Sequence, residues 1–168
     1  MNRALVIPLR FIGFVLIQVL VLNSVQFSGY INPFLYVVFI LTLPVEFPKY
    51  LGLFLGFVLG FTIDLFSGTM GLHIIATLFI AYIRPFLLRI MAPRDGFEFN
   101  AIPGIRDMGL SWYLPYISIG IVLPHAVLFY TEIFRFSEFF DTLGKVLISS
   151  ILTIFLAVLT EYIVQRNK

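Results

Sequence analysis

The chain has 168 residues, of which 60% are hydrophobic and 12% are charged, and its formal net charge is +2. A soluble domain of ordinary composition carries about 25% charged residues, whereas the mean hydropathy of this chain is +1.02. The apolar residues come in long runs, which favours membrane-spanning helices over a soluble core. The composition therefore indicates an integral membrane protein. It excludes disulfides and thiolate sites because there is no cysteine, and the small net charge gives no sign of a nucleic-acid partner.

The apolar runs predict an all-α membrane protein, with six transmembrane helices in a single polytopic domain over residues 1–168. Each run is near the roughly 20 residues that cross ~30 Å of hydrocarbon at ~1.5 Å per residue, although the second and third are short. The longest connection is a polar loop over about 91–111. The predicted helices lie at about 5–22, 33–47, 50–66, 71–90, 112–134 and 143–163.

The basic residues predict how these helices are oriented. With the N-terminus inside, 9 of the 11 basic residues fall in cytoplasmic segments, and only Arg135 and Lys145 fall outside. Cytoplasmic loops carry such an excess of Lys and Arg. We therefore expect both termini in the cytoplasm, together with the loop over 91–111. That loop is either a solvated connector on the inner leaflet or a docking site for a cytoplasmic partner.

Small residues recur at every fourth position on the third predicted helix, as Gly52, Gly56 and Gly60, and the series ends in Asp64. Residues at this spacing share one face of a helix. In a membrane, glycines on such a face allow another backbone to approach closely. The glycine stripe is therefore predicted to pack either on the protein's own helices or on a partner.

Asp64 lies in the last turn of its helix, where the negative end of the helix dipole disfavours a carboxylate. The following turn contains Gly68 and ends at Gly71, so it is very short. We expect the carboxylate to reach the free N–H groups that begin the next helix, forming a cap across the hairpin. A contact with a partner subunit and a role in ion or proton translocation are the alternatives.

Two further polar residues are predicted on the fourth helix. His73 lies close to Asp64 and is expected to pair with it, as a hydrogen-bonded structural group rather than a metal ligand. Arg84, followed by Pro85, lies well inside the apolar run. Its guanidinium is expected to snorkel towards the headgroups, or alternatively to bond another helix or a partner.

A second small-residue face is predicted on the sixth helix. It also steps by four and ends in an acid, and it consists of Ser149, Thr153, Ala157 and Glu161. The chain contains no Gly-x-Ser-x-Gly elbow, no His-Glu-x-x-His motif and no glycine-rich phosphate loop. We therefore expect neither an enzyme nor a cofactor or metal site.

The run from Gly56 to His73, GFVLGFTIDLFSGTMGLH, resembles the hallmark of the bacterial rod shape-determining protein MreD family. That pattern is a glycine-spaced helix, an Asp, a short Ser/Gly turn and Gly-Leu-His. Asn32-Pro33, Leu43-Pro44 followed by Glu46, and Arg84-Pro85 agree with it, so the resemblance covers nearly the whole chain.

The resemblance implies a non-enzymatic scaffold subunit of the cell-elongation machinery in the bacterial cytoplasmic membrane. Its expected partner is an MreC-like bitopic membrane protein, whose membrane segment the small-residue faces would hold. MreB-like filaments, a RodA-like glycosyltransferase and a transpeptidase of peptidoglycan synthesis are further partners. The family is also similar in fold to the substrate-binding subunits of energy-coupling-factor transporters. The alternative function is therefore a substrate-binding subunit of a vitamin-type transporter, against which stands the small number of polar residues near the outer face.

Overall fold

The computed structural model describes residues 3–24, 31–133 and 138–166, and these residues form helices and no β-strand. Arg135, Lys168 and the predicted end of the fifth helix at Phe134 lie outside the described residues. The first helix, α1, spans Arg3–Leu16 and continues as a π-helix over Ile17–Leu22. The remaining helices are α2 (Val37–Leu41), α3 (Lys49–Ser67), α4 (Leu72–Ile90), α5 (Ile105–Met108), α6 (Leu110–Ile133) and α7 (Phe139–Arg166).

Five helical stretches in this part of the chain are long and apolar enough to cross a membrane. They coincide, apart from a few residues at their ends, with five of the six predicted helices. The protein is therefore an all-helical, multi-pass membrane protein. The five stretches are Leu5–Leu22, Lys49–Ser67, Leu72–Ile90, Leu110–Ile133 and Phe139–Val164.

The prediction of a continuous second helix over 33–47 is wrong, because only the five residues Val37–Leu41 are α-helical. Pro44 cannot extend a helix and disfavours the helical conformation for the residue before it. Ahead of α2 the backbone forms turns whose hydrogen bonds, such as Val38 N–H to Leu35 O at 3.0 Å, reach back three residues rather than four. We call residues 31–47 the central segment.

The central segment forms the core of the protein. Every side chain from Phe34 to Leu43 is at most 8% exposed, whereas large apolar side chains on α1, α3, α4 and α7 point outwards. Irregular backbone at membrane depth is tolerated only where protein or a water-filled cavity surrounds it. The five long helices therefore enclose a short broken element that could not face lipid.

Contacts along α1 show how the central segment runs. Gln18 forms a hydrogen bond with Pro33, and Arg10 forms one with Thr42. Arg10 lies about 12 Å from Gln18 along the first helix, at ~1.5 Å per residue. The central segment is thus antiparallel to α1. It begins at the end of the bundle that holds the α3–α4 turn (residues 68–71), which we call the turn end. It finishes where the Val45 N–H donates to the Ala101 carbonyl at 2.9 Å, at the end with residues 91–109, which we call the loop end.

Candidate functional site

The glycine stripe packs against α4. A Cβ atom on Gly60 would lie 2.6 Å from the Cα of Ile74 and 2.7 Å from the carbonyl oxygen of His73. On Gly56 it would lie 3.1 Å from the carbonyl oxygen of Thr77, whereas near Gly52 the closest atom belongs to Phe47, 4.0 Å away. The stripe is therefore an internal contact at Gly56 and Gly60. Of the two alternatives, packing on the protein's own helices is the one that holds at these two glycines, because α4 occupies the face there.

Asp64 caps α4 from across the hairpin, as the short turn predicts. Its carboxylate accepts hydrogen bonds from the backbone N–H groups of His73, at 3.2 Å, and Ile74, at 3.0 Å, and from the hydroxyl of Thr69. Those N–H groups have no partner within the helix, and the positive end of the α4 dipole favours an anion. The 5% exposed carboxylate thus joins the two helices.

The turn itself requires two glycines. Gly68 has φ +67° and Gly71 has φ +85°, in the left-handed region that other residues rarely adopt. Gly68 also ends α3, because its N–H donates to the carbonyl of Asp64. A Cβ on either glycine would meet nothing within 4 Å, so these positions are dictated by backbone conformation rather than by packing.

Asp64→Asn should lower the free energy of unfolding by about 1–3 kcal/mol, because an amide NH₂ cannot accept from the N–H that one carboxylate oxygen now binds. Thermal unfolding of the purified protein in a mild detergent measures this. Glu46→Gln makes the same chemical change at an exposed position near the loop end and serves as the control. Equal melting temperatures for the two variants would contradict the capping role.

His73 connects the hairpin to the central segment. Its Nδ1 atom lies 2.7 Å from the hydroxyl oxygen of Tyr36 in a buried hydrogen bond. The expectation that His73 pairs with Asp64 is wrong for the imidazole, since it is the backbone N–H of His73 that reaches the carboxylate. Backbone donors occupy Asp64, which leaves the ring to bind the core.

Gln18 holds the central segment from α1. Its amide group donates to the carbonyl of Pro33 at 3.0 Å, and its side-chain oxygen accepts from the N–H of Tyr36 at 3.4 Å. The residue is 1% exposed and lies in the π-helical stretch, a geometry often found at functional positions. Asn23 extends this contact by donating to the hydroxyl of Ser67 at the end of α3, at 3.0 Å.

The second small-residue face binds the same backbone from α7. The hydroxyl of Ser149 accepts from the Asn32 N–H at 3.1 Å, and that of Thr153 accepts from the Phe34 N–H at 3.3 Å. Both residues are 0% exposed, and Ala157 is 1% exposed. This face therefore supplies the hydrogen bonds that the broken backbone cannot make within a helix.

His125 joins α6 to α7 beside these contacts. Its Nδ1 atom donates to the carbonyl of Ile121 at 2.8 Å, and its Nε2 atom lies 3.2 Å from the hydroxyl oxygen of Thr153. A carbonyl oxygen can only accept, which places a proton on Nδ1. The 0% exposed imidazole is thus occupied on both sides by its own chain.

Arg84 is the principal contact at the loop end. Its guanidinium donates to the carbonyl of Leu41 at 3.4 Å, to that of Pro44 at 3.0 Å and to that of Leu43. These carbonyls lie at the end of α2 and just after it, where the helix itself supplies no donor. Arg84 is 5% exposed, so the snorkelling expectation is wrong. The structure contains the other expected arrangement, in which Arg84 bonds another helix: its partners are the last residue of α2 and two residues that follow it. Pro85, the next residue, lies inside α4 without ending it.

Two more side chains complete the loop-end contacts. The hydroxyl of Tyr116 donates to the carbonyl of Leu41 at 2.9 Å, and the guanidinium of Arg10 donates to the hydroxyl of Thr42 at 2.8 Å. Glu161, the acid that ends the second small-residue face, lines a cavity of about 170 Å³ with Arg10. In the sequence, Arg10 counts only as one of the 9 basic residues that indicate the orientation of the helices. Its position within an apolar run could have predicted an internal contact instead.

A polar cavity of about 280 Å³ opens at the turn end. Its walls come from α1, the central segment, α4, α6 and the end of α3. Amide, hydroxyl, imidazole and carboxylate groups lie beside two phenylalanines in this cavity. The polar lining residues are Gln18, Asn23, Asn32, Ser67, Thr69, His73 and Glu132.

Most of the buried polar groups at both ends bind the protein's own backbone. Across residues 3–24, 31–133 and 138–166 there is no cluster of His, Asp or Glu side chains that could hold a metal ion. Comparisons of the chain with protein-family models, curated proteins and solved structures found no match.

Proposed function

We propose that the protein is a non-enzymatic, MreD-like scaffold subunit of the bacterial cell-elongation machinery in the cytoplasmic membrane, and that it binds an MreC-like bitopic partner. One observation carries this proposal: the stretch that resembles the family, Gly56 to His73, is built as a rigid hairpin. Gly60 allows α4 to pack closely on α3, Asp64 caps α4, and the side chain of His73 forms a hydrogen bond with the core. A scaffold needs such rigidity, because it must present a bound helix in one orientation.

The bound partner contacts a surface other than Gly56 and Gly60, since α4 covers the stripe at these two residues. Its membrane helix would pack on outward-facing apolar side chains, and α1 with its π-helical continuation is the least buried of the five spans. Only 17% of the span Leu5–Leu22 is buried inside the bundle. Helix association in membranes relies on close packing rather than on exclusion of water, so a peripheral helix with a regular apolar face suits this role.

The proposed scaffold has both of its termini in the cytoplasm. Five long helices alone would leave the two termini on opposite sides of the membrane. The central segment runs between the two ends of the bundle. As a sixth crossing, it returns both termini to the cytoplasm. This orientation agrees with the 9 of the 11 basic residues that fall in the segments predicted to be cytoplasmic. The proposed fold remains similar to that of the substrate-binding subunits of energy-coupling-factor transporters.

Co-purification tests the scaffold function. The tagged full-length protein, extracted in a mild detergent from its own host, should retain an MreC-like protein from the same genome. Another polytopic protein with the same tag is the control. Depletion of the protein should round the cells. If no MreC-like protein is retained and depleted cells keep their shape, the scaffold function is rejected.

The turn-end cavity favours one second candidate, a substrate-binding subunit of a vitamin-type transporter. Its volume of about 280 Å³ is near the lower limit of sites for small molecules. Its lining combines apolar rings with several hydrogen-bonding groups. This function predicts a bound small molecule in the purified protein, detectable by mass spectrometry, and co-purification with a transporter ATPase in place of an MreC-like protein.

A further inference from the structure

A groove lies between α3 and α4 at the loop end, on the outside of the bundle. The two helices touch at Gly56, where a Cβ atom would lie 3.1 Å from that of Ala81. One turn closer to the loop end, a Cβ on Gly52 would meet no atom of α4 within 4 Å. The space that opens there has a volume of about 500 Å³, larger than the polar cavity at the turn end.

The mouth of the groove is positively charged. Lys49 is the first residue of α3 and Arg89 lies in the last turn of α4, so the two helices bring both cations to one place. Both side chains are exposed, and the groove lining contains no acidic residue. Neither cation has a hydrogen-bond or ion-pair partner within residues 3–24, 31–133 and 138–166. Arg10 and Arg84, by contrast, are bound to the core.

The groove becomes apolar and aromatic away from these charges. Leu53 lies one turn further along α3 and Phe86 one turn back along α4, and both line the groove. Tyr50 is 86% exposed and Tyr82 is 61% exposed. Exposed tyrosines are typical of the level at which headgroups meet hydrocarbon. The groove therefore combines a cationic mouth at the membrane surface with an apolar floor that runs towards the bilayer centre.

We propose that this groove binds an anionic phospholipid, with Lys49 and Arg89 on the phosphate and an acyl chain along Leu53 and Phe86. Basic pockets between membrane helices take anionic headgroups on the cytoplasmic side, which is the side that the proposed orientation gives to the loop end. A phospholipid fits both parts of the groove, because it joins a fixed negative charge to a long apolar chain. The site rests on the proposed orientation for its side of the membrane, but it does not require the scaffold function.

Native mass spectrometry of the full-length protein, delipidated in a mild detergent, tests this site by titration with phosphatidylglycerol. Phosphatidylcholine serves as the lipid without net charge. The K49Q/R89Q variant should bind phosphatidylglycerol about 25-fold more weakly, because each of the two basic residues near the membrane contributes about a fivefold attraction to anionic lipid. Its affinity for phosphatidylcholine should change little. The R94Q/R106Q variant removes the same charge from exposed positions of the same end and should bind both lipids as the unmodified protein does.

A second variant separates binding in the groove from general attraction to a basic surface. Leu53→Trp fills the floor of the groove without changing the charge, and it should lower the affinity for phosphatidylglycerol several-fold. Equal loss in K49Q/R89Q and R94Q/R106Q, or equal affinity of the unmodified protein for the two lipids, would reject the site. If K49Q/R89Q keeps its lipid but loses a co-purified protein, the groove is a protein contact and the lipid assignment is wrong.

Discussion

Removal of the Arg84 side chain, as in Arg84→Met, should destabilise the protein by about 1–3 kcal/mol. The guanidinium now binds the carbonyls of Leu41, Leu43 and Pro44, and each buried acceptor left without a donor costs about 1–3 kcal/mol. The variant no longer has to desolvate a cation, which offsets part of this cost. The carbonyl cost should prevail at Leu43, whose oxygen has no other donor among the described contacts, whereas the Leu41 carbonyl keeps the Tyr116 hydroxyl and the Pro44 carbonyl keeps the Phe47 N–H.

Arg84→Lys distinguishes this role from snorkelling. A lysine keeps the charge but loses the planar fork that reaches several carbonyls at once. We expect it to recover only part of the stability, with a loss of about 1–2 kcal/mol. Unfolding in increasing fractions of a denaturing detergent measures both variants, and Arg94→Gln, at an exposed position in the loop after the same helix, is the control. A fully stable Arg84→Lys protein would show that the side chain needs only its charge.

Gly60→Ala should also destabilise the bundle, by about 1–3 kcal/mol or more, because the added methyl group overpacks a close helix contact. It would lie 2.6 Å from the Cα of Ile74 and 2.7 Å from the carbonyl oxygen of His73. These are backbone atoms, so no side chain can rotate away and α4 itself must move. Such a shift would also pull the N–H groups of His73 and Ile74 away from Asp64.

Gly52→Ala provides the matched control on the same face of α3. Its methyl group would have only a side-chain atom of Phe47 at 4.0 Å, and alanine is the better helix former by up to about 1 kcal/mol. We expect this variant to be neutral or slightly more stable in the same unfolding experiment. If Gly60→Ala and Gly52→Ala unfold alike, the close contact between α3 and α4 does not contribute to stability.

The sequence predicts the five long helices well, because each is a run of apolar residues of spanning length and hydropathy measures this property directly. It also predicts the Asp64 cap, because the turn after Asp64 leaves few donors within reach. These features depend on residues that are close together in the chain. The glycine stripe is only partly predictable. Its spacing predicts a close contact with another helix, but it does not show whether that helix belongs to the same chain.

The central segment could not be predicted in this way. Its apolar composition, from Phe34 to Leu43, is the same for a membrane helix and for a buried broken element. The difference lies in partners that are remote in sequence, such as Gln18 and Arg84, which replace the hydrogen bonds of a helix. Polar residues within otherwise apolar helices were the available signal, because each of them needs a partner away from lipid.

The contacts of the central segment also determine when the protein can finish folding. The N–H groups of Asn32 and Phe34 bind Ser149 and Thr153, which follow 117 and 119 residues later. With only five helical residues, the segment cannot satisfy its own backbone in hydrocarbon, so it cannot settle in the bilayer as each long helix can when it leaves the ribosome. Its observed hydrogen bonds can form only after α7 has been synthesised, so a part of the chain made near the beginning is among the last to reach its final arrangement.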